Sequence, residues 1–425
     1  MEILNKLLKD YFKESSIEFK ITNVQMDSNK VTKGSLFFAI NKGNEYIKDA
    51  LEKGAELIIG DNISEDILEK NIVRVKNTVS ALQELATLYR ERLNVTVIGI
   101  TGSEGKTTTK DLAYSVISQK YRSIKTLGNY NNHIGLPFTI FRLTSEDEVA
   151  VLEMGMSNIG EIDRLCQIAK PDYAIITNIG DSHLEFLKNR DNVFRAKTEI
   201  LKYVKKENVL VIGDDPYLRY LEVVQIGFKE NNLIVIRNFE ENENGCKFKL
   251  LNEKYSIPIN GWYNVLNASL AIVLGRILKV SYNKIQKGLN DLDLTGMRFE
   301  KIVKNNILYI NDAYNASPVS MKAALSTFKT YPSNSTKVVV LGDMLEMGEN
   351  EINYHEDVLK YAKEQNFDKI FIYGNRMKEA SLRLNEKKIK YFEVKSEIIK
   401  EIKKLKDPIV LLKGSRGMRL EEIIN

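Results

Sequence analysis

Cysteine is nearly absent: Cys166 and Cys246 are the only two in the 425-residue chain. Two thiols cannot build a disulfide framework or a four-cysteine zinc site. No apolar run approaches the length of a membrane span. The opening segment, Met1–Phe12, places apolar residues at helical spacing but carries charges throughout, unlike the apolar core of a secretory signal. A cytoplasmic protein without membrane insertion is therefore expected. Charge of one sign is also lacking: Lys+Arg total 62 against Asp+Glu 57, a net +5 with the charges interspersed. That gives no reason to expect nucleic acid as a partner. The chain has no internal repeat and no low-complexity segment, and its length calls for more than one domain.

What is present is concentrated in Thr96-Val97-Ile98-Gly99-Ile100-Thr101-Gly102-Ser103-Glu104-Gly105-Lys106-Thr107-Thr108. An apolar run enters a glycine-rich turn, and Lys-Thr-Thr then opens a helical pattern. Such a turn lets backbone N–H groups curl around an oligophosphate at a helix N-terminus. Lys106 can reach the terminal phosphates, and Thr107 offers a hydroxyl to a phosphate-bound magnesium ion. The spacing departs from the strict motif, because Ile100 stands where a glycine is usual and Gly99, Gly102 and Gly105 supply the turn instead. The alternative, an ordinary strand–turn–helix unit, is disfavoured because Gly-Lys-Thr lies between a strand and a helix. This phosphate-binding loop implies a nucleoside triphosphate.

The chain divides into three α/β units, at 1–93, 94–298 and 299–425, with the second boundary placed near 298–304. The first has strand patterns at 35–40 and 56–59 and ends in a helix from about Thr78 to Leu93. From Val95 strands alternate with helices: Val149–Glu153, a helix near Glu161–Ile168, Tyr173–Asn178, a helix near Val193–Val204, then Val209–Ile212. That alternation predicts a buried parallel sheet. Residues 224–259 look like an antiparallel flap, and a helix at about Val265–Leu278 follows. A second alternating region has strands at Ile307–Ile310, Lys337–Leu341, Ile370–Tyr373 and Ile409–Leu412.

Other candidates lie just past strand ends, where parallel sheets bind ligands. Glu153 closes Val149–Glu153 and suits a hard cation such as magnesium, although a solvated strand-end charge is equally compatible. His183, one of three histidines with His133 and His355, lies past another strand on the edge that carries the phosphate loop. Lys197 alone reads as a helix lysine. Asn264 and Asn267 sit one helical turn apart and can face one ligand, or else cap the helix and decorate its surface.

Taken in order, Gly99–Lys110, Glu153-Met154-Gly155, Asn178-Ile179-Gly180 with His183, Ala196-Lys197, Asn264/Asn267, Arg298 and Asp312 resemble the ATP-dependent Mur ligases over nearly the full chain. The resemblance implies a UDP-substrate-binding N-terminal domain, a central P-loop ATPase domain and a Rossmann-like C-terminal domain. Asp312-Ala313-Tyr314-Asn315-Ala316-Ser317-Pro318, Gly342–Glu349 and Lys413-Gly414-Ser415-Arg416 are similar to the branch that adds D-alanyl-D-alanine to UDP-N-acetylmuramoyl-tripeptide through an acyl phosphate. By that resemblance Gly102, Ser103, Glu104, Gly105, Lys106, Thr107 and Thr108 cradle ATP, with Asn264, Asn267, Arg298, Asp312 and Tyr314 completing its site. Lys106, Lys197 and His183 are the implied catalytic residues. Thr107 and Glu153 would hold one Mg²⁺, with His183 and Lys197, as a carbamate, near a second. Ser28, Asn131 and Asn132 would meet the UDP-linked substrate, and a monomer is expected.

Departures fall at the substrate-reading periphery. Asn29 stands where relatives often have arginine, Tyr263 where they often have histidine, and Ser317 replaces the second asparagine of its motif. Asn44-Glu45-Tyr46 replaces a usual Asp-Gly-His. A ligase for another amine or carboxylate is therefore the alternative, as is one like folylpolyglutamate synthetase, which the Asp-Ala-Tyr-Asn segment and the uridine-type segment at 26–39 oppose. A non-catalytic relative with a four-cysteine zinc insertion, or a mechanical or signalling P-loop protein, lacks its required motifs.

Overall fold

A computed structural model describes residues 1–12, 20–65, 71–242, 244–331, 334–386 and 388–424. The first unit is a four-stranded parallel sheet, Asn23–Gln25, Ser35–Ala39, Ala55–Gly60 and Ile72–Arg74, in chain order. Helix Thr78–Glu91 starts where the Asn77 side chain accepts the Ser80 N–H, satisfying an otherwise orphaned donor. Its apolar stripe, Leu82, Leu85, Ala86 and Tyr89, is buried. The Tyr89 hydroxyl donates to the Leu143 carbonyl at 2.6 Å, and Arg90 donates to the carbonyls of Ala169, Leu93 and Val95. This helix therefore welds the first unit to the second. Phe38, from the first unit's sheet, lies against Phe138 and Phe141 at centroid distances of 6.2 Å.

The second unit is built on a seven-stranded sheet in the order Ile234–Val235, Val224–Gly227, Val209–Ile212, Tyr173–Ile176, Thr96–Thr101, Val149–Glu153, Ser123–Lys125, with every pair parallel. Val149–Glu153 and Val209–Ile212 are buried along their whole length, which is why they read as continuous apolar runs instead of alternating ones. Two expectations need correction. Only 237–257 is antiparallel, as strands Arg237–Asn242, Gly245–Leu250 and Glu253–Ile257. Val224–Gly227 and Ile234–Val235 instead extend the parallel sheet, their short length and polar flanks having hidden them. The helix expected to Val204 ends at Lys197 and tightens into a 3₁₀ segment, Thr198–Lys202.

The third unit's six-stranded sheet runs Glu300–Lys304, Ile307–Asp312, Pro408–Lys413, Thr336–Gly342, Lys369–Tyr373, Ile389–Phe392, parallel except for the first pair. That first pair is a hairpin turned by Asn305 and Asn306, both with positive φ (+52° and +61°), the backbone a tight hairpin requires and asparagine tolerates. The chain crosses from the second unit through Gly296–Phe299, where Met297 and Phe299 also have positive φ. The C-terminal strand ends of the second and third units face one cavity.

Candidate active site

The phosphate-type loop leaves Thr96–Thr101 and enters helix Lys106–Ile117. Gly102 has φ +141°, and a Cβ there would lie 1.8 Å from Thr177 Oγ1, so only glycine fits. Gly105 (φ +76°) starts the helix against Asn267, whose Oδ1 would be 2.7 Å from a Cβ. The loop is braced from the neighbouring strand end. Glu104 N donates to Asn178 Oδ1 at 2.9 Å, Asn178 Nδ2 donates back to the Glu104 carbonyl at 3.1 Å, and Ser103 N donates to the Asn178 carbonyl at 3.0 Å. These contacts hold the helix N-terminus open toward the cavity, as an anion site requires.

The cavity has a volume of about 660 Å³. Ser103, Glu104, Gly105, Lys106, Thr107, Thr108, Asn131, Asn132, Glu153, His183, Asn264, Asn267, Arg298, Asp312 and Tyr314 all line it. Gly102 and Lys197 lie just behind the wall. Lys106 Nζ donates to the carbonyls of Gly102 and Ser103 at 2.7 and 2.9 Å, and Lys197 Nζ reaches the same Gly102 carbonyl at 2.9 Å. Two lysine Nζ atoms thus share one carbonyl. Burial, then the Lys106 charge, drives Lys197 well below the ordinary lysine range, and burial also lowers Lys106. Burial raises the Glu104 carboxyl, opposed by its contact with the Ser317 hydroxyl and by nearby lysines.

Glu153 Oε1 accepts Asn131 Nδ2 at 2.8 Å, whereas its Oε2 is buried with no hydrogen-bond partner. An uncompensated buried carboxylate oxygen is costly, and it suits an oxygen-seeking cation. Among the described residues no three His, Cys, Asp or Glu side chains converge on one point. The donor set therefore fits an ion whose remaining ligands are phosphate oxygens and water, the habit of Mg²⁺ and not of a protein-caged metal. Thr107 Oγ1, the other oxygen of that set, accepts Arg298 Nη2 at 2.9 Å. His183 has its pKa lowered, first by burial and then by Lys106 and Lys197.

The crossing segment and the third unit contribute a second layer of charge. The Arg298 guanidinium lies 4.1 Å from the centroid of the Tyr314 ring, a cation–π contact. Asp312 pairs with Lys413 Nζ at 2.8 Å, and the same Nζ donates to the Asn315 carbonyl. Asn264 Nδ2 donates to the Asn260 carbonyl at 2.7 Å, which fixes the amide beside Asn267.

Of the three residues assigned to the UDP-linked substrate, Asn131 and Asn132 share the large cavity and Ser28 lies apart from them. Asn131 is engaged with Glu153, and Asn132 Oδ1 accepts the N–H groups of Ile134 and Gly135 just ahead of helix Gly135–Ile140. Ser28 is buried in the first unit, where its carbonyl accepts Lys53 Nζ at 3.1 Å, away from the large cavity. Its neighbours Met26 and Asp27 instead line a smaller cavity, about 210 Å³, together with Tyr130, Phe138 and Arg142.

Sequence reasoning gave no individual role to Lys413 or Glu346, and none to Ser317 as the partner of Glu104. Lys413 could have been found, because it ends a parallel strand in register with Asp312. Ser317 and Glu346 meet the second unit only through domain docking, which leaves no local signal.

Residues 100–275 match the model described as the Mur ligase middle domain, and residues 297–416 match the Mur ligase, glutamate ligase domain. A UDP-N-acetylmuramoyl-tripeptide–D-alanyl-D-alanine ligase of Bacillus subtilis (strain 168) is 38% identical over 95% of this chain and 92% of its own length. The protein of the same name in Borreliella burgdorferi is 33% identical over 96% and 95%. A crystal structure of MurF from Acinetobacter baumannii superposes with a TM-score of 0.90 at 28% identity, covering 99% of this chain and 97% of that one. MurF from Thermotoga maritima, in complex with ADP, gives 0.84 at 28% identity over 96% and 97%.

Proposed function

The chain belongs to the Mur ligase family, and from that premise we propose that it joins D-alanyl-D-alanine to UDP-N-acetylmuramoyl-tripeptide at the expense of ATP, as a cytoplasmic monomer in peptidoglycan precursor synthesis. The observation that carries this reading is one cavity in which a phosphate-type loop, an unpaired carboxylate oxygen on Glu153 and charged residues of the third unit face one another. ATP transfers its γ-phosphoryl group to the tripeptide's terminal carboxylate, giving an acyl phosphate. The amine of the dipeptide attacks its carbonyl carbon, and phosphate leaves with the original carboxylate oxygen. Two anions must meet in the first step, so fixed positive charge is the chief requirement.

Lys106 leaves its two carbonyl partners to bridge the β- and γ-phosphates. Arg298, in the segment that joins the second and third units, stacks on Tyr314 of the third unit and closes over the nucleotide, while Asn264 and Asn267 meet its adenine and phosphate sides. Asp312, held by Lys413, is set against the nucleotide by the same closure. Magnesium, when bound by Thr107 and Glu153 and at a second position by His183 and Lys197, supplies the cationic charge that offsets the meeting anions. Lys197 would carry a carbamate there. Its burial beside Lys106 favours the neutral amine that carbon dioxide modifies. The smaller cavity between Met26, Asp27 and Tyr130 is the proposed seat of the UDP end of the substrate. Among the described residues no helix is long and apolar enough to cross a membrane.

Phosphate release by the purified protein with ATP, Mg²⁺ and UDP-N-acetylmuramoyl-tripeptide tests this reading, run with and without D-Ala-D-Ala. Release that requires both substrates, with the pentapeptide product detected by mass, is the expected result. ATP binding without stimulation by either substrate would move the search to other amine and carboxylate pairs.

A further inference from the structure

Glu346 lies in a loop of the third unit that has no part in the chemistry derived above. Its Oε2 is 2.7 Å from His183 Nδ1 of the second unit. An ionised carboxylate can only accept, so Nδ1 is the nitrogen that carries a proton, and in the neutral ring Nε2 is then the lone-pair nitrogen. His183 lines the large cavity, so the nitrogen available to it is a lone-pair donor. We infer that Glu346 is the positioning residue of His183, fixing its tautomer and ring orientation across the domain boundary, so that the histidine is ready for the phosphate-and-metal site only when the third unit is docked. This rests on the reading of His183 as a group of that site.

Three further observations support it. Both residues are non-glycine with left-handed backbone, His183 at φ +55° and Glu346 at φ +62°. That conformation is disfavoured for residues that carry a Cβ and persists where surrounding structure enforces it. The two loops also meet backbone to backbone: Glu185 N lies 3.4 Å from the Glu346 carbonyl it donates to, and Gly348 packs on the main chain of Leu184. Finally, the loop bearing Glu346 is held firmly from behind. Asp343 accepts Met377 N at 2.8 Å, Met344 N donates to His355 Nε2 at 2.8 Å, and Leu345 N donates to Ser415 Oγ at 2.9 Å. A carboxylate on a rigid loop that grips the outer nitrogen of a cavity histidine is the arrangement that orients metal-site histidines generally, and losing it typically costs about 10–100-fold in metal affinity or activity.

The chain's three histidines make the test tractable. Long-range ¹H–¹⁵N spectra of the histidine-labelled full chain, with ADP present and magnesium chelated, report each tautomer without any turnover. His355 is an internal standard, since its Nδ1 faces the Glu351 carbonyl and its Nε2 accepts Met344 N. In the wild type His183 should show the Nδ1–H form. Glu346→Ala should shift it toward Nε2–H and lower kcat by about 10-fold or more with KM for ATP little changed. Glu346→Gln, which keeps a carbonyl acceptor, should restore the Nδ1–H form and most of kcat. A wild-type Nε2–H signal, or an unchanged tautomer in Glu346→Ala, would overturn the inference. Full turnover by His183→Ala would overturn it differently, by removing the reading on which it rests while leaving the tautomer result intact.

Discussion

Lys197 concentrates the residue-scale argument. A lysine whose folded pKa is depressed releases its proton in the folded chain while the unfolded chain still binds one. The unfolded state therefore holds more protons between that depressed value and the ordinary value near 10.4, and stability rises with pH across this window. In buffer stripped of carbon dioxide, the melting temperature of the wild type should climb from pH 7 toward pH 10 relative to Lys197→Met, in which the buried amine is gone. Parallel pH profiles would contradict the assignment of a buried amine with a depressed pKa. This environment was not legible in the sequence. Ala196-Lys197 gave the position only by resemblance, because the burial comes from packing of Arg190–Lys197 beneath the phosphate-type loop. Lys106 and Thr107, by contrast, were legible outright, since their spacing after a strand is itself the physical requirement.

At the scale of elements, the loop and its helix are the most constrained pieces. Gly102→Ala would place a methyl group on Thr177 Oγ1 in a backbone conformation that alanine disfavours. Calorimetry should then find no ATP binding, while the circular dichroism of the helices is retained. Behind the loop, Asp111 is fully buried on the same helix. It pairs with Lys125 Nζ at 2.6 Å and Lys110 Nζ at 3.3 Å, and it accepts Thr295 N at 2.8 Å. It thereby anchors the strand end, the helix and the segment leading into the third unit. Asp111→Ala leaves two lysines without their shared partner and should cost about 3–5 kcal/mol by chemical denaturation. A loss below about 1 kcal/mol would show that the cluster is not a structural anchor. Long elements with strong patterns, such as Thr78–Glu91 and Val149–Glu153, could be read from sequence to within a few residues. Short edge strands such as Ile234–Val235 and Ile389–Phe392 could not, because few residues carry their periodicity and the sheet partner decides their state.

For the whole molecule, the account requires that nucleotide binding draw the second and third units together. Trp262 is the chain's single tryptophan and is 45% exposed on the cavity wall, which Val319 and Ala323 of the third unit share. ATP binding should desolvate the indole, giving a saturable blue shift of its emission. The absence of any shift at saturating ATP would argue against closure over the nucleotide. The parallel sheets were legible in the alternation of strands and helices, but the contacts Ser317–Glu104, Arg298–Thr107 and Glu346–His183 were not, since each joins segments more than a hundred residues apart.

The most direct test of the central claim is isotopic. Ligation would be run with UDP-N-acetylmuramoyl-tripeptide labelled with ¹⁸O in its terminal carboxylate, and the released phosphate analysed by mass. An acyl-phosphate route carries one labelled oxygen from the carboxylate into each phosphate formed. Unlabelled phosphate accompanying pentapeptide formation would contradict it.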